Sequence, residues 1–138
     1  MKLATIVNKA VSLSEAIFQY WDTELPKRYP NYPLVNPGED DGPPPPQQKK
    51  LRELLTSLPE ETLYKLALLR DIGNGVVKTN DLQGGYQDLR DDWGNPAQLI
   101  EMLIEHPLDY ALPEGLARLK KAGIDLEKMD FTGASARK

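Results

Sequence analysis

Residues 57–75 read SLPEETLYKLALLRDIGNG, and the way this stretch folds decides how the rest of the chain must be arranged. Ser57 and Glu60 have the spacing of a capping box, and Pro59 falls in a first turn, where a helix tolerates a missing N–H. Leu63, Leu66, Ala67 and Leu69 follow at three- and four-residue steps. The spacing predicts a helix from about Leu58 to Ile72 with those side chains on its inner face. Gly73 is its expected stop.

Upstream, Leu3, Ile6, Val7, Ala10, Val11, Leu13, Ile17, Phe18 and Trp21 keep the same periodicity, which predicts an amphipathic helix over residues 3–22. Pro26, Pro30 and Pro33 are expected to end it, leaving LPKRYPNYPLV as an extended strap. Leu51, Leu54, Leu55 and Leu58 predict a short second helix. Downstream, GNGVVKTN is a turn, and Asp81 can cap a helix reaching Trp93. Asn95 with Pro96 opens another helix carrying Leu99, Ile100, Leu103 and Ile104. A last helix is expected from about Pro113 to Lys121, closed by Gly123.

No alternating apolar and polar stretch is long enough to build a sheet, so the fold class is all-α. The expected architecture is an irregular bundle of about five to six helices with a Pro-rich linker after the first. Its parts are an N-terminal amphipathic helix over 1–25, a Pro-rich strap and linker over 26–46, a helical core domain over 47–130 and a flexible tail over 131–138.

Composition removes several function classes. The 138 residues include no cysteine, which excludes disulfides, thiolate nucleophiles and thiolate metal sites. A net charge of −4 offers no general attraction for nucleic acid, which is disfavoured as a partner. The short basic groups at Lys49–Arg52 and Arg118–Lys121 leave room only for a local phosphate-binding patch. Polar residues interrupt the N-terminal apolar run too often for a signal-peptide core or a membrane span, so a cytoplasmic location is expected.

The stretch from LYKLALLRDIGNG through HPLDYALPEGLARL resembles a small bacterial helical domain family of unknown function, over about residues 60–122. The resemblance implies a helical fold and no activity.

Four constellations bear on chemistry. Pro43 to Pro46 favour polyproline II and form a possible ligand for a Pro-binding groove, but the spacing to the next cation is poor, and a stiff spacer is the stronger reading. Asp88, Asp91 and Asp92, with Asp81 earlier, invite a divalent cation, against which stands a solvated acidic face paired with Arg90. No metal site is assigned, and no cofactor. RDIGNG suggests a phosphate loop through its converging backbone N–H groups, yet it follows a helix instead of a strand and reads better as helix termination. His106, the single histidine, precedes Pro107 at a helix end, where it fits the carbonyl end of the helix dipole better than a general-base role.

With no catalytic set in view, the leading expectation is a non-enzymatic protein-interaction or self-association module, a homodimer or a complex with a protein partner. Phe18, Tyr20, Trp21, Tyr29 and Tyr32 form its expected surface, since aromatic residues are enriched at interface centres. The alternative is a small-molecule binder or hydrolase with a cleft near Arg70, Asp71, Asp92 and His106.

Overall fold

The computed structural model describes residues 2–28 and 45–131, and among these six α-helices and one short 3-10 turn make up the fold. They are α1 (Leu3–Arg28), α2 (Pro46–Ser57), α3 (Glu60–Gly73), α4 (Leu82–Asp92), α5 (Pro96–Glu105), α6 (Ala111–Lys121) and the turn Leu126–Lys128. The described residues contain no strand, as the sequence pattern requires.

The expected third helix becomes α3, the centre of the bundle, packed against α6, α4, α5 and α1. Its buried surface is wider than a stripe: every residue from Leu63 to Leu69 is buried, Tyr64 and Lys65 included. A helix covered on all sides belongs in the middle of a bundle. Two local expectations for it need correction. Ser57 forms no capping box, because its hydroxyl donates back to the Leu54 carbonyl at 2.7 Å and Pro59 takes the cap position. Gly73 is not the stop either. Gly75, at φ 78°, is the left-handed residue, with Gly75 N donating to Ile72 O and Val76 N to Asp71 O. That pair of bonds is a Schellman closure.

α6 ends the same way: Gly123 stands at φ 74°, Gly123 N donates to Lys120 O and Ile124 N to Leu119 O. Here the expected glycine is the one used, although the helix starts two residues earlier than Pro113. α5 matches its expected start, with Asn95 Oδ1 accepting from Ala97 N at 2.9 Å and Pro96 in the first turn. α2 begins straight from Pro45 and Pro46, and buries Leu51 and Leu55.

α1 runs on to Arg28, past the residue 22 expected from the prolines. Pro26 removes one backbone donor in the last turn, which trims a helix already propagated through twenty-odd residues instead of blocking it. Leu3, Ile6, Val7, Ala10 and Ile17 are buried in the same core cluster as the leucines of α2, α3 and α5. Glu127 also reaches back to the first turn of α1, its Oε2 accepting from Leu3 N at 2.7 Å, an anion at the positive end of a helix. Phe131, the first residue of the expected tail, is fully buried against Tyr86, and residues 132–138 lie outside the described residues. No helix among the described residues is long and apolar enough to cross a membrane.

Candidate functional site

Of the five aromatic residues expected to form a surface, Tyr29 and Tyr32 lie outside the described residues, as do residues 29–44 of the expected strap and linker over 26–46. The other three lie on α1 just beyond its last fully buried residue, Ile17. Phe18 and Trp21 pack partly against the core, and Tyr20 and Trp21 meet edge to face, with ring centroids 5.2 Å apart and planes at 79°. The helix thus buries the inner face of its N-terminal two thirds and leaves its aromatic end half covered.

Phe18 also lines a surface pocket of about 620 Å³ between α1 and the turn that joins α5 to α6. Glu15, Asp22 and Asp109 stand around it, all exposed, and none has an ion-pair partner among the described residues. Ser14 fixes the two walls together: its buried hydroxyl accepts from Leu108 N at 3.0 Å. Tyr110, one of the two large apolar side chains most exposed on the described surface, follows Asp109 directly. Ser14 was not legible as part of a site, because only the packing of α1 against residues 106–110 brings it beside Asp109.

Of the alternative cleft, Arg70, Asp71 and Asp92 act on one another. Arg70 and Asp71 form an ion pair at 3.3 Å, and Asp92 lies close enough for its charge to act on Asp71. Burial pushes the Asp71 carboxyl above its ordinary range, opposed by Arg70 and reinforced by Asp92. Nε of Arg70 is buried with no hydrogen-bond partner among the described residues. His106 lies at the end of α5, where its Nδ1 donates to the Met102 carbonyl at 2.8 Å and completes the carbonyl end of that helix. It borders a mainly apolar groove of about 580 Å³ with Trp93, Met102 and Glu105. Among the described residues no hydrogen bond or ion pair links it to Arg70, Asp71 or Asp92.

The carboxylates on α4 and at its cap face solvent. Asp81, Asp88, Asp91 and Asp92 are all exposed, Asp91 accepts from Gln87, and Arg90 turns away to Glu60 at 2.9 Å while its guanidinium lies 4.4 Å from the Tyr64 ring centre. No group of three or more His, Asp or Glu able to hold a metal ion occurs among the described residues.

No protein-family model, curated protein or solved structure matches the chain, so the resemblance over residues 60–122 gains no support from them.

Proposed function

We propose that the protein is a non-catalytic protein-interaction module whose docking face is the aromatic end of α1 with the adjoining Phe18 pocket. One observation carries this reading: Glu15, Asp22 and Asp109, without an ion-pair partner among the described residues, surround the half-buried Phe18 between walls that Ser14 joins. Aromatic anchors set in a polar rim are the usual anatomy of a protein-binding patch. The charge pattern selects the partner. A two-fold homodimer through this face would set the same carboxylates against each other, whereas a segment bearing Lys or Arg next to an apolar side chain satisfies both parts of the pocket.

Removing α1 is a poor test, because it would also remove core residues. The exposed carboxylates give a better one. The double variant E15K/D22K should keep the wild-type helical signal and melting temperature while losing, in a quantitative pull-down, a basic partner that the wild type retains. Light scattering on the wild-type chain should give a monomer. Identical pull-downs from both proteins, or a wild-type dimer that E15K/D22K dissociates, would defeat this reading.

A further inference from the structure

The GNGVVKTN turn and the basic end of α6, far apart in sequence, meet in space. Ile72, Val77 and Ala122 give their junction an apolar wall, and Lys78, Arg118 and Lys121 stand around a pocket of about 500 Å³. No acidic residue among the described residues lines it.

Helix geometry explains Arg118 and Lys121 and leaves Lys78 over. Arg118 completes the end of α3: its Nη1 donates to Ile72 O at 2.9 Å and its Nε pairs with Glu114 at 3.1 Å. Gly75 adjoins the guanidinium, and a Cβ there would meet Nη1 at 3.8 Å, an ordinary contact, so its left-handed φ and not space calls for glycine. Among the described residues, the side chains of Lys78 and Lys121 have no hydrogen bond or ion pair. The Thr79 and Asn80 side chains have none either, and the N–H groups of Lys78, Thr79 and Asn80 have no backbone acceptor there. A complement to the helix dipole needs a cation in the last turn of α6. It does not need a second one on a different element, facing the same pocket beside a run of free donors.

We infer that this pocket binds a small organic phosphate, its phosphate between Lys78, Lys121 and the donors of Thr79 and Asn80, its apolar body against Ile72 and Val77. Backbone and side-chain donors converging in a turn make an anion cradle, and ammonium groups act on phosphate as point charges. The volume is that of a small-ligand site and exceeds what a bare ion fills. The chain's overall negative charge repels anions at a distance, so affinity rests on these local groups and falls with salt. This pocket shares no residue with the proposed α1 face.

Phenyl phosphate is a suitable probe, with inorganic phosphate and benzoate as comparisons, read by amide NMR titration of the full chain at low salt. Phenyl phosphate should shift the Gly75, Thr79 and Ala122 amides saturably and bind at least about tenfold tighter than either comparison. Both lysines are exposed, so K78Q/K121Q should keep the wild-type melting temperature and lose at least about tenfold in affinity. Absence of saturable shifts at about 10 mM probe, or equal affinity in K78Q/K121Q, would overturn the site. Benzoate binding as tightly as phenyl phosphate would overturn the assignment to phosphate.

Discussion

Gly73 of α3 and Ala111 of α6 are in backbone contact: a Cβ on Gly73 would stand 1.9 Å from the Ala111 carbonyl oxygen. Gly115 repeats the arrangement from the other helix, its hypothetical Cβ 2.3 Å from the Leu69 carbonyl oxygen. These two glycines set the distance at which α3 and α6 pack.

On an exposed helix, Gly→Ala stabilises by about 0.5–1 kcal/mol, so the sign of the effect tests the contact. Gly73→Ala and Gly115→Ala should each destabilise, by about 1–3 kcal/mol or more, because backbone cannot yield as a flexible side chain can. Gly123→Ala is the comparison: nothing lies within 4 Å, and only its φ of 74° is strained, at a cost of about 1–2 kcal/mol. Urea midpoints should rank both contact variants below Gly123→Ala. A neutral or stabilised Gly73→Ala would contradict the close approach.

The same glycines mark what the sequence could and could not convey. Helix periodicity, the Asn95–Pro96 start and the Gly123 close are local signals, and all three were legible. Gly73 reads locally as a helix stop, but its necessity comes from Ala111, a residue of another helix. Pro26 reads as a breaker because propensity registers the lost donor, not the length of helix already formed before it. The pockets depend on pairings between distant segments, such as Ser14 with Leu108, which no spacing along the chain encodes.

Arg52 and Glu101 join α2 to α5 through two hydrogen bonds of 2.8 and 2.7 Å. The guanidinium holds the Glu101 carboxyl below its ordinary value of 4.5. A carboxyl lowered in the folded state contributes stability above its unfolded value, and the contribution is lost as pH falls through the lowered one. Both side chains are substantially exposed, at 40% and 48%, so Glu101→Gln should cost less than about 1 kcal/mol at neutral pH. The difference between wild type and variant should shrink to nothing in acid and diminish in high salt. A gap that persists below the titration range would assign the effect to packing.

At alkaline pH the tyrosines take over. Burial raises the Tyr64 and Tyr86 phenols above the ordinary 10.0, and nearby Arg90 opposes the shift in both. Above pH 10 the unfolded chain therefore ionises first, and stability should fall as pH rises toward the folded values. Tyr64 also donates its hydroxyl to the Trp93 carbonyl. Tyr64→Phe should cost about 0.5–1.5 kcal/mol at neutral pH from that lost bond, and flatten the alkaline decline. Melting curves between neutral pH and 11 would reveal an unchanged slope if Tyr64 were not involved.

Lys65 and Phe131 together lock the C-terminal segment onto the bundle. Lys65 is 6% exposed, and its Nζ donates to Glu127 O at 3.1 Å and Met129 O at 2.5 Å while pairing with Glu61 at 3.3 Å. Its ammonium lies 5.8 Å from the centre of the Phe131 ring, which stacks on Tyr86 with centroids 4.3 Å apart. Lys65→Met keeps the stem and removes charged donors from two carbonyls, a loss of about 1.5–3 kcal/mol for each such bond at most. Phe131→Ala empties a fully buried site and should cost about 3–5 kcal/mol. The two effects should not add, because either change releases the same segment and leaves the other contact with little to hold. In urea titrations the double variant should fall short of the summed single losses by about 0.5–3 kcal/mol, the range typical of residues in direct contact. The segment also carries Glu127, which caps α1, so both single variants should raise amide exchange in the first turn of that helix. Additive losses with α1 exchange unchanged would mean that Lys65 and Phe131 act independently and that the C-terminal turn does not hold the start of α1.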